Sequence, residues 1–321
     1  MFFIKKILKD IARWIFWYPI RIVIQKTPFS FAFALANIMG YGSYLFSKSK
    51  RMIMNNELDV IFSDTLSDQQ KDKIIKDAFV LMAKEKIETL NFPRLNKENI
   101  LKISDIEGEE KLEAALHHQR GIVVLLSHFG QNRMIMPILG YRDYKINQIA
   151  APVTLFADIV DKRLVSPLMQ KTLNLELEYE KTFPAKFIYY DTSLRQAFIA
   201  LKNNEIVVIA VDGGGGENRI PVEFLSRKAL LPTGAFKLAH KTAAVALPMF
   251  VRRNKDNTHT LIIKDEIKID LKAGESNFKN ELQDFANILE KEIKEYPEHY
   301  LKHLLMIHQR SDIEENAIFV D

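Results

Sequence analysis

The sequence predicts an α/β fold, a mixed and mostly parallel sheet flanked by helices, with an N-terminal membrane-associated helical segment. Three observations predict it. From residue 108 onward, short apolar runs alternate with helical patterns, which is typical of strands joined by crossover helices. The run IVVIAV at 206–211 is apolar without interruption, as expected of a strand buried on both faces. Residues 1–56 combine bulky apolar side chains with most of the positive charge.

Composition and charge narrow the class of protein. The 321 residues are 47% hydrophobic and 27% charged and contain no cysteine, which excludes a disordered chain, a disulfide scaffold and a thiolate nucleophile. Residues 1–56 hold nine Lys or Arg and one Asp, a net charge of +8, which leaves −4 for the rest. This asymmetry indicates an anionic surface as partner. We expect a membrane and not nucleic acid, because the basic residues are spread among bulky apolar ones.

Residues 1–26 have the pattern of an interfacial anchor. Apolar side chains recur at helical spacing with lysines between them, and Trp14, Trp17 and Tyr18 lie where the two faces meet. Aromatic rings at that level suit the membrane interface, and lysines suit anionic headgroups. The charges that interrupt the apolar runs argue against a cleavable signal peptide. The sequence therefore predicts a monotopic anchor.

Residues 27–47 hold no charge and are long enough to span a bilayer, for which about 20 apolar residues are needed. Pro28, Asn37 and Gly40 make the segment a poor span. We interpret it as a helix buried beneath the core, with a true span as the second interpretation.

The predicted elements follow in order. We expect residues 1–50 to form the anchor and residues 51–321 the α/β domain. A long helix is predicted over residues 64–92, with Ser67 as N-cap and Gln70 three residues on. Residues 245–253 and the segment after the turn NKDN are expected to form an antiparallel edge hairpin. The other expected strands are 122–127, 146–151, 186–190 and 206–211, and the other expected helices are 163–172, 193–202, 233–242 and 276–295.

Two strand ends carry the residues best suited to chemistry. In open α/β sheets, ligands gather at the carboxyl ends of the strands. His128 follows the strand 122–127, and Asp212 follows the strand 206–211 and precedes four glycines. An imidazole is suited to act as general base at neutral pH, and Asp212 is its candidate partner, with Glu217 a weaker one. Backbone N–H groups near Gly130 are candidates to bind an oxyanion.

Neighbouring polar residues are candidates for substrate binding. Near His128 these are Gly130, Asn132 and Arg133; after Asp212 they are Gly213, Arg219, Arg227 and Arg253. We expect the arginines, with Arg252 and Lys237, to form a cluster that holds an anionic group. The glycine run lacks the GKS or GKT ending of a nucleotide-binding loop, and HExxH, EF-hand and GxSxG patterns are absent from the sequence. No metal site is predicted.

Five segments resemble those of one enzyme family. The chain resembles the lipid A biosynthesis lauroyl/myristoyl acyltransferases, within the lysophospholipid acyltransferase superfamily, from about residue 50 to 310. The resemblance implies transfer of a fatty acyl group from an acyl carrier protein or coenzyme A thioester to a lipid-linked hydroxyl, on the cytoplasmic side of the inner membrane. The segments are RMIMNNELDVIFS, GIVVLLSHFGQN, VVIAVDGGGG, VEFLSRKALLPTGAFKLAHKTAAVALPMFVRR and YPEHYLKHLLMIHQR.

The chain departs from this family at one position. The family's catalytic motif is a His, four residues, then Asp or Glu, and Arg133 occupies the position of the acid. In order of expectation, Asp212 replaces that acid, Arg133 binds thioester or phosphate, or the protein has kept lipid binding and lost transfer. The sequence thus predicts an acyltransferase with His128 as base, no bound cofactor, and a membrane lipid hydroxyl or amine as acceptor. The alternative is an inactive lipid-binding protein on the same fold.

Overall fold

The computed structural model describes residues 2–150, 165–189, 194–213, 216, 218–271, 278–310 and 317–320, with side chains from residue 6 to 309 and from 317 to 320 within those ranges. The helices are α1 Phe2–Ile15, α2 Arg21–Lys26, α3 Phe29–Phe46, α4 Lys48–Phe62, α5 Asp68–Asn91, α6 Lys97–Ile103, α7 Glu109–His117, α8 Ile135–Gly140, α9 Pro167–Glu180, α10 Arg195–Lys202, α11 Gly234–Thr242, α12 Lys279–Glu295 and α13 Leu301–Arg310. The strands are β1 Ser104–Glu107, β2 Ile122–Gly130, β3 Ile146–Ala150, β4 Lys186–Tyr189, β5 Ile206–Ala210, β6 Arg219–Phe224, β7 Arg227–Pro232, β8 Val245–Arg253 and β9 His259–Ile263.

The main sheet confirms the predicted fold class. Among the described residues it has seven strands in the order β1-β9-β8-β2-β5-β3-β4. Neighbouring strands are parallel, except for the antiparallel pair β8 and β9. The prediction that this hairpin forms the edge is wrong, because β1 pairs in parallel with β9 and covers it. Strands β6 and β7 form a separate antiparallel hairpin that the sequence analysis did not predict.

The central strands bury side chains on both faces, as their uninterrupted apolar sequences predict. Val123 and Val207 lie in one hydrophobic cluster, whereas Val124 and Val208 lie in another on the opposite face of the sheet. Successive side chains of a strand point to opposite faces, so each strand contributes to both clusters. Each fully buried aliphatic side chain contributes about 1.5–3 kcal/mol. The sheet therefore provides a rigid edge for the loops that follow it.

The long helix α5 confirms the prediction over residues 64–92. Its N-cap is Ser67, whose side chain accepts from the backbone of Gln70, while the Gln70 side chain accepts from the Ser67 backbone in return. This reciprocal cap satisfies N–H groups that the first helical turn leaves without partners.

Helix α3 lies on α5 through a narrow stripe of small residues. Ala32, Ala36 and Gly40 are buried, and a Cβ added to Gly40 would lie 2.6 Å from the Cα of Val80 on α5. The opposite side is exposed and apolar, and Phe46 is 91% exposed. The expectation of a buried helix is therefore wrong for most of its surface. By length and composition alone, α3 is apolar enough to cross a membrane.

The aromatic residues expected at the membrane interface divide between two environments. Trp14 is 52% exposed and stacks on Tyr18, with ring centroids 5.9 Å apart. Trp17 is 7% exposed and contacts Tyr179 of α9, so its predicted interfacial position is wrong. The exposed apolar side chains of α1 are Ile7, Leu8, Ile11, Trp14 and Ile15.

Candidate active site

Sheet topology brings His128 and Asp212 together. Strands β2 and β5 are parallel neighbours, with Leu126 opposite Ala210. Their carboxyl ends therefore meet at one edge of the sheet, and each candidate residue lies two positions beyond that pair. Between Leu126 and Gly130 the register of β2 against β8 shifts. Such an irregularity bends a strand and re-aims its side chains, which places the His128 ring over the edge.

His128 and Asp212 form a hydrogen-bonded pair. The Nδ1 atom of His128 lies 2.8 Å from Oδ1 of Asp212, and the backbone N–H of His128 donates to Oδ2 at 2.7 Å. A carboxylate only accepts, so Nδ1 carries the proton and Nε2 is left with its lone pair. The His128 side chain is 37% exposed, whereas that of Asp212 is 1% exposed. The pair thus presents a basic nitrogen towards solvent and keeps its carboxylate buried.

Two residues near the C-terminus complete the surroundings of Asp212. The hydroxyl of Tyr300 donates to Oδ2 of Asp212 at 3.0 Å, and Nε2 of His303 lies 3.1 Å from the backbone oxygen of Asp212. The ring of His303 stacks on that of His128, with centroids 4.3 Å apart and planes 1° from parallel. Sequence reasoning assigned no role to either residue, although both lie in YPEHYLKHLLMIHQR, one of the segments that carry the resemblance.

The electrostatics of this group hold Asp212 ionised. Burial by itself would raise the pKa of the Asp212 carboxyl, but the imidazoles of His128 and His303 and the two hydrogen bonds from His128 outweigh it and lower that pKa below its ordinary value. Burial and the nearby Asp212 carboxylate raise the pKa of Tyr300 well above its ordinary value. Tyr300 therefore stays a proton donor to Asp212 at neutral pH.

His128, Asp212 and His303 also offer three candidate ligand atoms for a metal ion, all within 4.8 Å of one another. An imidazole nitrogen binds a metal through a lone pair that lies in its ring plane. The planes of His128 and His303 are parallel and stacked, so one ion cannot lie in both of them. Nδ1 of His128 already faces the carboxylate at hydrogen-bond distance. The arrangement fits an acid–base site better than a metal centre.

The loop after His128 is fixed by contacts with a second buried cluster. Gly130 has a φ of +58°, and a Cβ there would lie 1.9 Å from the backbone oxygen of Val251. Gln131 donates to Glu88 at 2.7 Å, and Arg253 donates to the same carboxylate at 2.5 Å. Arg253 and Glu88 are 5% and 3% exposed, respectively. This geometry gives Gly130 and Arg253 structural reasons for their identity.

Arg133 is held by two glutamates of α9. Its Nη1 donates to Glu176 at 2.5 Å and to Glu180 at 2.8 Å, and its guanidinium lies over the ring of Phe92. Burial would lower the pKa of Arg133, but the two carboxylates outweigh it and raise that pKa. This cation is already compensated by two carboxylates, so the expectation that it binds thioester or phosphate has no support from its contacts.

The predicted cluster of arginines does not form. Arg227 makes two hydrogen bonds to Glu57 of α4, at 2.6 and 3.3 Å, and its guanidinium lies 3.6 Å from the ring centroid of Phe319. Arg219 donates to the backbone oxygen of Ala317. The cluster was predicted from the positive charges alone, whereas the fold gives Arg227 and Arg253 acidic partners from α4 and α5.

The remaining predicted residues lie near the dyad in the chain. Asn132 is partly exposed at the start of a short 3-10 helix, Asn132–Met134. Gly213 follows Asp212, and a Cβ added there would meet no atom within 4 Å. The weaker candidate Glu217 and the glycines at 214 and 215 lie outside the described residues.

The fold and the site define a class of protein: an α/β enzyme whose accessible imidazole is paired with a buried carboxylate at the strand ends. The family model for bacterial lipid A biosynthesis acyltransferases matches residues 4–311, so the chain belongs to that family. The family acts in lipid biosynthesis and transfers acyl groups, which implies a lipid acceptor and an acyl donor. Together with α3, it indicates membrane association. No curated protein matches the chain.

Proposed function

We propose that the protein transfers a fatty acyl group from a thioester, carried by acyl carrier protein or coenzyme A, to a hydroxyl or amine of a membrane lipid, with His128 as general base. The observation that carries this proposal is the hydrogen-bonded His128–Asp212 pair. It supplies a carboxylate for the imidazole although Arg133 occupies the position where the family resemblance places the acid.

The reaction needs only groups that this site and its substrates provide. Nε2 of His128 takes the proton of the acceptor hydroxyl or amine as that atom attacks the thioester carbonyl carbon. The tetrahedral intermediate collapses with cleavage of the carbon–sulfur bond, and the thiolate leaves with the proton that His128 held. Asp212 keeps the imidazole in the productive tautomer and stabilises its charged form, as acids do in other histidine dyads.

The oxyanion of the intermediate needs donors on the side of the site opposite the base. Backbone N–H groups around Gly130, Asn132 and Gly213 are our candidates, because these residues flank His128 and Asp212. The open space beside Gly213 leaves room for the reacting carbonyl. We assign no such role to Arg133, because Glu176 and Glu180 already engage its guanidinium.

We propose that the enzyme is held at the cytoplasmic face of the inner membrane by α1 and α3. Phe31, Ile38, Leu45 and Phe46 of α3 expose a continuous apolar side, while the small-residue stripe of α3 rests on α5. A helix whose other side stays packed on a charged helix is better placed to lie at the interface than to cross the bilayer alone. This favours a monotopic anchor, with anionic lipid as the surface that the basic N-terminus contacts.

The test is an acyl-transfer assay with a radiolabelled acyl thioester and extracted membrane lipids. We expect His128→Ala to lower the rate by about 10²–10⁴-fold, the usual contribution of a general base. The matched control is His118→Ala at an exposed histidine, which should retain the wild-type rate. A His128→Ala rate near that of the wild type would remove His128 from the mechanism. Absence of turnover by the wild type with every thioester would favour the inactive lipid-binding protein.

A further inference from the structure

His303 is a buried imidazole that the proposed reaction does not use. It is 3% exposed, lies on α13 and contacts both members of the dyad. Its ring stacks on that of His128, and its Nε2 lies 3.1 Å from the backbone oxygen of Asp212 and 3.7 Å from Oδ2. Because a backbone oxygen only accepts, Nε2 of His303 carries a proton.

We propose that His303 is a positioning residue of the acyl-transfer site, which holds the Asp212–His128 pair in place and stabilises the imidazolium that forms on His128. This inference rests on the proposed function of His128. Tyr300 contributes to the same arrangement through its hydrogen bond to Asp212.

The first part of the argument concerns the position of Asp212. This residue leads from β5 into the glycine-rich segment, where the sheet no longer restrains the backbone. The N–H of His303 fixes the backbone oxygen of Asp212, and the hydroxyl of Tyr300 fixes one carboxylate oxygen. The other oxygen is then held 2.8 Å from Nδ1 of His128. Helix α13 thus sets the carboxylate for the base, and small errors in such geometry are costly to catalysis.

The second part concerns charge. When His128 takes the acceptor proton, its ring becomes a cation whose face is covered by the ring of His303 at 4.3 Å. The π-face of a neutral aromatic ring attracts a cation. The contact is therefore stronger in the charged state than in the resting state, and such differential contacts accelerate the chemical step instead of binding alone.

The test is a double-mutant cycle on kcat, with the full-length protein. His303→Leu removes both the N–H and the aromatic face, and we expect about a 30-fold loss of kcat with little change in KM, from one hydrogen bond and one ring contact. His303→Gln restores an N–H at the reach of Nε2 and should recover part of the rate. In an Asp212→Asn background, His303→Leu should cost less than about twofold, because a residue that acts through Asp212 has no further effect once the carboxylate is gone.

Tyr300→Phe is the second variant, since it removes one hydroxyl and keeps the buried ring. We expect about a fivefold loss of kcat in the wild type, as for one hydrogen bond, and almost none beside Asp212→Asn. Thermal unfolding of each variant identifies any loss of fold, and the cycle is read on those that fold as the wild type does.

The outcomes separate this inference from the proposed function. If His128→Ala is inactive but His303→Leu and Tyr300→Phe keep the wild-type kcat, the inference fails and the base assignment stands. Equal losses in the wild-type and Asp212→Asn backgrounds would show that both residues only support the fold, which also overturns it. An active His128→Ala overturns the proposed base and the inference with it.

Discussion

Two histidine–carboxylate clusters lie close together in this molecule and differ in exposure. In the first, Asp212 is 1% exposed and its partner His128 reaches solvent with 37% of its side chain. In the second, Glu88 lies 3.3 Å from His259, which is 0% exposed, and it also binds Arg253. A buried carboxylate beside an imidazole is thus no sign of catalysis by itself. The accessible nitrogen of His128 distinguishes the site that can meet a substrate from the one that holds the fold together.

The two clusters are joined by four consecutive residues. His128 belongs to the open cluster, whereas Gln131 donates to Glu88 in the sealed one. Between them, Phe129 is fully buried and stacks on His299, whose Nε2 accepts the backbone N–H of Arg253. We infer that the sealed cluster positions the strand end from which His128 projects.

The largest effect is expected where the two clusters join. Gly130→Ala places a Cβ 1.9 Å from the backbone oxygen of Val251 at a φ of +58°, so the backbone must shift. We expect a loss of about 4 kcal/mol or more in the free energy of unfolding, with loss of activity. Gly213→Ala is the matched control, because its Cβ meets nothing within 4 Å, and it should change stability by less than about 0.5 kcal/mol. Equal effects in chemical denaturation would contradict the proposed close approach.

Glu88→Gln tests the sealed cluster. It leaves the buried guanidinium of Arg253 without its carboxylate, and breaking a buried ion pair costs about 3–5 kcal/mol. We expect a loss of that size in the free energy of unfolding, while kcat per folded molecule stays within about threefold. If kcat fell as far as it does for His128→Ala while the fold stayed intact, the division between a structural and a chemical cluster would be wrong.

The pH dependence of stability gives a related prediction. Burial raises the pKa of Glu88, but Arg253 and His259 outweigh it and lower the pKa from 4.5 to about 2. A depressed folded-state pKa contributes stability that is present above about pH 4.5 and is lost as the pH falls through 2. The stability difference between wild type and Glu88→Gln should therefore shrink by about 3 kcal/mol between pH 6 and pH 2. A constant difference across that range, measured by denaturant titration, would refute the ionised state of Glu88.

A smaller effect is expected at Arg133, which lies between α9 and the open cluster. Arg133→Asp restores an acid where the family resemblance places one, but it faces Glu176 and Glu180. We expect a loss of about 2 kcal/mol in stability, since this ion pair is only partly buried, and no rescue of Asp212→Asn. Arg133→Lys, which keeps the charge, should be milder. Recovery of activity by the Asp212→Asn, Arg133→Asp double variant would show that the acid can act from position 133.

Sequence reasoning reached the fold and the central pair for a physical reason. Uninterrupted apolar strands predict a parallel sheet, and residues at the carboxyl ends of such strands meet, which brings His128 to Asp212. Tyr300 and His303 were out of reach because no local pattern shows where the last helix docks. The arginine cluster was wrong because Glu57 and Glu88, which neutralise Arg227 and Arg253, come from distant helices.

The N-terminal segment shows the same limit. Hydropathy predicts the helix over residues 29–46 but not which side it buries. The small residues Ala32, Ala36 and Gly40 lie on one face at helical spacing, and in the structure that face contacts α5. The apolar side chains that seemed suited to a core are the ones that remain exposed.

The central claim is that Asp212 supplies the carboxylate for His128 in place of an acid at position 133. The most direct measurement is the single-turnover rate of acyl transfer by Asp212→Asn, with thioester binding measured in parallel. We expect the rate to fall by about 10²-fold or more while the dissociation constant of the thioester stays within about twofold, because Asn cannot stabilise the imidazolium. An unchanged rate would exclude Asp212 as the partner of His128.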